Sequence, residues 1–205
     1  MRNYLKCYIG VVFLLFVYMG ARGQNNGCLA VCSNQFVDTE PGKSYYTIPG
    51  NGAYDVQLSS ALACQTVKEK WSFTYTLEGA TQSKGSGTLK GEHINRGVTQ
   101  VIWTCKNSGT TISLKFEITV FDKEKPEISC NNDITVHSQN GVNGAVVTYP
   151  EVKAKDNCKI DKLFLYAGLP SGSVFPVGMT PVIYKAIDNS GNVGICSFYV
   201  NVTND

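Results

Sequence analysis

The chain has 205 residues, 18 Lys and Arg against 16 Asp and Glu, and only 17% of its residues are charged. Three of the basic residues, Arg2, Lys6 and Arg22, lie in the first 23 positions, so the remainder holds 15 basic against 16 acidic side chains, a net charge near −1. That balance excludes a basic field able to steer nucleic acid or an anionic membrane surface, and the many Tyr, Val, Thr and Gly residues exclude a disordered polyelectrolyte.

Arg2 and Lys6 precede an apolar run from Tyr8 to Tyr18. Ala21-Arg22-Gly23 then offers small residues at the two positions a signal peptidase reads. A cleaved signal peptide over 1–23 is expected, leaving Gln24 first. The run is shorter than the ~20 apolar residues of a spanning helix. No other stretch is long and apolar enough, so no membrane span is expected in the mature chain. Lipid attachment at Cys28 is disfavoured, because no apolar residue stands three positions before it.

Eight cysteines are present and Cys7 leaves with the signal. Cys28, Cys32, Cys64, Cys105, Cys130, Cys158 and Cys196 remain. An exported chain meets an oxidising compartment, so disulfides are the default reading. Their odd number leaves at least one thiol unpaired or joined to another chain. Zinc is disfavoured, because Cys28 and Cys32 are the only close pair.

Strand signals dominate the mature chain. In the downstream half, Ile128 to Val136, Ala145 to Tyr149, Leu163 to Tyr166, Val182 to Ala186 and Ser197 to Val202 are short and rich in β-branched or aromatic residues. Phe198, Val200 and Val202 alternate with Tyr199, Asn201 and Thr203, the period of a half-buried strand. Asn140-Gly141, Ser171-Gly172 and Asn189-Ser-Gly-Asn192 supply turn chemistry. No amphipathic helix is expected beyond the signal.

The upstream half repeats this pattern. Gly97-Val-Thr-Gln-Val-Ile-Trp103 matches Gly178-Met-Thr-Pro-Val-Ile-Tyr184. Asn107-Ser-Gly109 matches Asn189-Ser-Gly191, and Phe116-Glu-Ile118-Thr-Val120 matches Phe198-Tyr-Val200-Asn-Val202. A near-constant internal shift marks tandem modules. The join, Phe121-Asp122-Lys-Glu-Lys-Pro126, is short and charged. Domains are therefore expected at 24–122 and 123–205, joined with little hinge freedom.

The downstream segment, with Asp156-Asn157-Cys158, Phe175-Pro176-Val177, Tyr184, Asp188-Asn189-Ser190-Gly191-Asn192 and Cys196, resembles a hyalin repeat, the HYR module of extracellular adhesion and surface proteins. The upstream copy resembles a divergent repeat that lacks Phe-Pro-Val and carries Leu114 where the downstream copy has Cys196. The resemblance implies an immunoglobulin-like β-sandwich and a spacer or adhesion role. It also implies a Cys130–Cys196 disulfide between the first and last strands, leaving Cys158 as the odd thiol; Cys158–Cys196 stays open. Upstream, four cysteines allow three connectivities, with Cys64–Cys105 preferred.

Chemistry is sparsely represented. His93 and His137 are the only histidines, in different domains, without a nucleophile elbow or a thiol-protease arrangement beside them. Phosphate-binding glycine loops and His-Glu-x-x-His are absent. Paired carboxylates lack a visible cleft. Trp103 and Tyr184 are expected in the cores rather than on carbohydrate-stacking surfaces. No cofactor is expected. Calcium is the one metal worth weighing, through Asp122, Asp156 and Asp188. Ordinary turn chemistry is preferred for them, since a hard cation needs about six or more oxygens. Asn201-Val202-Thr203 is a glycosylation sequon on a strand, where attachment is not expected.

The expected protein is all-β: two tandem immunoglobulin-like sandwiches after a signal peptide, secreted or surface-displayed and not an enzyme. It acts as an extracellular structural or adhesion module toward a protein or glycan partner. The alternatives are a carbohydrate-binding module, marked by an exposed aromatic platform, and an accessory N-terminal fragment of a larger surface protein or enzyme.

Overall fold

The computed structural model describes residues 29–58, 71–107, 109–139 and 143–204. The expected leader, Cys28 and Cys64 lie outside them. The described residues contain strands and no helix, and they divide into two compact units. Unit 1 runs through Phe121, and unit 2 comprises Asp122 onward together with Pro41–Lys43.

Unit 1 is built on a five-stranded sheet. Its strands are β2 (Gln35–Asp38), β5 (Ser72–Gly79), β6 (Ser83–Ser86), β8 (Gly97–Lys106) and β9 (Thr111–Phe121), in the order β2-β9-β8-β5-β6. Two ribbons accompany it: β1 (Leu29–Ala30) with β4 (Gln57–Leu58), and β3 (Tyr45–Thr47) with β7 (His93–Asn95). Alternation decides which way β8 faces. Thr99, Val101, Trp103 and Cys105 are buried, whereas the residues between them are not. That face packs with Tyr54, Tyr75, Leu89, Ile94 and Phe116 into the unit's core.

Unit 2 has a four-stranded sheet ordered β11-β17-β16-β14, from β11 (Ile134–His137), β14 (Ile160–Ala167), β16 (Gly178–Asp188) and β17 (Val193–Thr203). Its ribbons are β10 (Glu127–Ser129) with β13 (Lys153–Lys155), and β12 (Ala145–Val147) with β15 (Ser173–Phe175). Val147 and Phe175 from the second ribbon meet Val182, Phe198, Val200 and Val202 from the sheet, a two-layer core. The stretch from Ile128 to Val136, read as one strand in the sequence, is two. β10 pairs with β13 and β11 with β17, so the chain changes layer across Cys130–Asp133.

The units share a topology at the level of register. In each, the first sheet strand runs parallel to the last: Gln35 opposite Ile118 in unit 1, Ile134 opposite Val200 in unit 2. The penultimate and last strands then pair antiparallel, Gly97 with Val120 and Gly178 with Val202. Glycines permit close approaches at the sheet ends. Gly168, at φ +95°, would place a Cβ 2.5 Å from the Pro181 carbonyl oxygen, and a Cβ on Gly194 would collide with that of Pro126.

Candidate ligand sites in the downstream unit

Three loops converge at one end of unit 2: the entry at Asp122, the β13–β14 connection carrying Asp156, Asn157 and Cys158, and the β16–β17 turn at Asp188–Asn192. One carboxylate oxygen each of Asp122 and Asp156, with Cys158 Sγ, lie within 4.8 Å of one another. Asp122 is 7% exposed and Asp188 2%.

Asp122 is the hub. Its Oδ1 accepts the Glu124 amide at 3.1 Å and Asn157 Nδ2 at 3.3 Å, and its Oδ2 accepts Ser190 Oγ at 2.9 Å. The Cys158 thiol donates to the same carboxylate. Burial opposes its charge, but the bonds from Ser190, Cys158, Asn157 and the Glu124 amide outweigh it and hold the carboxyl below the usual range. Asp156 shifts the other way. Burial pushes its pKa up, the Cys158 amide at 3.0 Å opposes this, and the charges of Asp122, Asp188 and Glu124 add to the rise.

Asp188 is committed to its own turn. Its Oδ1 accepts the amides of Ser190 at 2.7 Å and Asn192 at 2.9 Å, and its Oδ2 accepts Asn192 Nδ2 at 2.8 Å. Asn192 Nδ2 also reaches the Asp122 carbonyl at 3.2 Å. Of the three aspartates weighed in the sequence, Asp122 and Asp156 thus come together, while the oxygens of Asp188 are taken up by its own turn. Cys158 and Asn157 join them through contacts of long sequence separation, which no local spacing announces.

Cys130 and Cys196 form a disulfide with a Cα–Cα distance of 5.8 Å, which links the end of β10 to β17 across the two layers. Cys105 is fully buried on the inward face of β8, takes part in no disulfide, and burial pushes its thiol up to about 11.

The outer face of the unit 2 sheet is apolar. In register, Phe164 lies opposite Lys185, Lys185 opposite Ile195, Pro181 opposite Tyr199, and Met179 opposite Asn201. Met179 is 66% exposed, Ile195 61% and Tyr166 57%, with Phe164 and Tyr199 also exposed. Lys185 Nζ sits 3.3 Å from the centre of the Tyr166 ring, a cation–π contact. Alternation in the sequence assigns these residues to the outward side; their adjacency comes from strand register.

Trp103 is fully buried, its Nε1 donating to the Tyr54 carbonyl at 3.2 Å. Tyr184 packs against the unit 2 core, with its hydroxyl 3.3 Å from that of Tyr149. His93 and His137 are exposed, with Nδ1 against the hydroxyls of Thr47 and Thr203 respectively. No helix among the described residues is long and apolar enough to cross a membrane.

Comparison with known proteins gives four matches. The family model described as the HYR domain matches residues 121–202. Hyalin of Strongylocentrotus purpuratus is 39% identical over 101 residues, 47% of this chain and 8% of its own length. The rat protein described as "Sushi, von Willebrand factor type A, EGF and pentraxin domain-containing protein 1" is 32% identical over 112 residues, 54% of this chain and 3% of its own. The chain thus spans a small part of these relatives. Among solved structures, human mucin-like protocadherin EC1-2 aligns over 86% of this chain and 98% of its own at 13% identity, with a TM-score of 0.31.

Proposed function

Residues 121–202 are an HYR domain, and on that premise we propose that the chain is a non-catalytic extracellular module, secreted or held at a cell surface, that joins partners by surface contact. The observation that carries this reading is the outer face of β14, β16 and β17. Met179, Ile195, Tyr199, Phe164 and Tyr166 together expose apolar area on a hydrogen-bonded sheet. Contiguous exposed patches of this kind mark interaction surfaces. Aromatic anchors on a rigid sheet lose little side-chain entropy on binding. Family membership supports the adhesive character of the contact, and the paired units suit a spacer.

The test is a bead-aggregation or cell-attachment assay with the full chain. Ile195→Lys combined with Tyr166→Lys should abolish attachment while leaving the melting profile in place. Undiminished attachment by that variant would remove this face from the function.

A second reading has its own observation. Phe164, Tyr166 and Tyr199 are exposed rings, the platform a carbohydrate-binding module requires. Glycan-array binding to one polymer class, lost in Tyr166→Ala and Tyr199→Ala, would favour it. Attachment that survives enzymatic deglycosylation of the target surface would favour a protein partner.

A further inference from the structure

We propose that β14 is a docking edge for a second copy of this chain, which adds its own β14 antiparallel across a two-fold axis. A difference between the units points to it. β5 in unit 1 and β14 in unit 2 are each eight residues long and hold the same place, beside the penultimate strand of their sheet. The far edge of β5 is covered, because β6 pairs with it antiparallel from Thr74 opposite Ser86 to Leu77 opposite Ser83. β14 has no such neighbour among the described residues and ends its sheet.

A strand with one antiparallel partner turns the N–H and C=O of alternate residues away from that partner. A long edge of this kind is a template for a further strand. The other edge strands of the two main sheets, β2, β6 and β11, have four residues each. β14 is twice as long and carries no proline. Its register with β16 shifts between Ile160 and Lys162 and again between Leu165 and Ala167. Those bulges bend the two ends and concentrate the contact on Lys162–Leu165.

The occupant follows from the side chains. Pairing of a strand with its own copy across a two-fold axis is antiparallel, the sense in which β6 meets β5. It also sets outward residues against outward residues. With the axis at Phe164, that ring meets its own copy, Lys162 meets Tyr166, and Leu163 meets Leu165. Phe164 and Tyr166 are exposed, whereas Leu163 and Leu165 are half-buried on the inward side. Aromatic pairs and a cation over a ring stabilise neighbouring strands, and like charges directly opposite destabilise them. An axis at Lys162 would oppose two ammonium groups; the axis at Phe164 opposes none. The net charge near −1 beyond the first 23 residues sets up no general repulsion between copies. A contact confined to one strand edge is small, so the dimer is weak and reversible. This names a partner for the adhesive module proposed above, and rests on that reading for its use but not for its geometry.

The experiment uses the full chain. Sedimentation over a concentration series should show a reversible monomer–dimer equilibrium. Amide hydrogen exchange within Lys162–Tyr166 should slow as concentration rises, a readout that needs no variant. Phe164→Lys should weaken the dimer about tenfold, because it exchanges an aromatic pair for two facing ammonium groups. Phe164→Glu should weaken it in the same way. The two variants mixed should associate more tightly than either alone, since opposite charges then face each other at the axis. Ile195→Lys, two strands away on β17, should leave the dimer unchanged, so failure of this edge and failure of the attachment face are told apart. A chain that stays monomeric, with exchange independent of concentration, overturns the proposal. So does a dimer indifferent to Phe164→Lys, or a mixture that associates no better than its components. A dimer lost in Ile195→Lys, with exchange at β14 never slowed, overturns it in favour of contact through the outer face of the sheet.

Discussion

The same rung of the sheet is filled differently in the two units. In unit 1, Trp103 pairs across β8 and β9 with Leu114. In unit 2, Tyr184 pairs across β16 and β17 with Cys196, and Cys196 is bonded to Cys130. Unit 1 has the larger aromatic core: Tyr54, Tyr75, Trp103 and Phe116 are all buried, with the Tyr75 and Trp103 rings edge to face at 5.2 Å. Among the described residues its core cluster holds fourteen buried side chains against seven in unit 2. A thin sandwich is marginal on burial alone. At this rung one unit places a large indole where the other places a cross-linked cysteine, and the shared topology accommodates both.

That contrast is broken most directly at Trp103. Trp103→Ala removes a fully buried side chain and leaves the Tyr54 carbonyl without its donor. The expected cost is about 3–5 kcal/mol, confined to the unit 1 transition in a denaturant titration. If both transitions fell equally, the units would not be separate cooperative bodies.

Next in size is the cross-link. Replacing Cys130 and Cys196 together by Ala should lower unit 2 stability by about 2–4 kcal/mol. The unit 1 transition should stay in place. Mapping without reduction should return a peptide pair joining Cys130 to Cys196.

Smaller again is Gly194→Ala. The new Cβ would collide with the Pro126 carbonyl oxygen, so backbone must move. A loss of about 1–3 kcal/mol in the unit 2 transition is expected.

The least effect is a pH dependence belonging to unit 1. Burial first, and then the hydrogen bond and charge of Glu92 at 2.5 Å, push Tyr75 up to about 12. The folded state therefore keeps its proton longer than the unfolded chain. The resulting stability is present in full below pH about 10 and is lost as pH rises toward about 12. Tyr75→Phe should flatten the unit 1 curve across that window, by an amount on the order of 1 kcal/mol. A window common to both variants would assign the effect elsewhere.

Much of the framework was legible because it is written in periods of two. Phe198, Val200 and Val202 are buried, as their alternation requires, and the all-β class follows from such runs. The HYR resemblance was carried by residues that sit in turns and at core positions, such as Phe175 and Asp188. Other features lay beyond the sequence for physical reasons. Alternation tells which side a residue faces, but only register places Phe164, Lys185 and Ile195 in one row. Nothing in Asp188-Asn-Ser-Gly-Asn192 distinguishes an aspartate that ligates from one that caps its own turn, and here it caps. The meeting of Asp122 with Asp156 and Cys158 spans more than thirty residues and depends on the fold being complete. β13 and β15 are too short, at three residues each, to signal themselves.

The Cys130–Cys196 bond has a consequence under tension. Force applied along the chain through unit 2 would pass from Cys130 directly into Cys196, leaving the intervening chain, a separation of 66 residues, out of the pulled path. Fully extended, a stretch of that length would add roughly 200 Å of contour. An intact bond keeps that slack locked away even if every hydrogen bond between β11 and β17 gives way, so the unit can lose its structure without releasing its length.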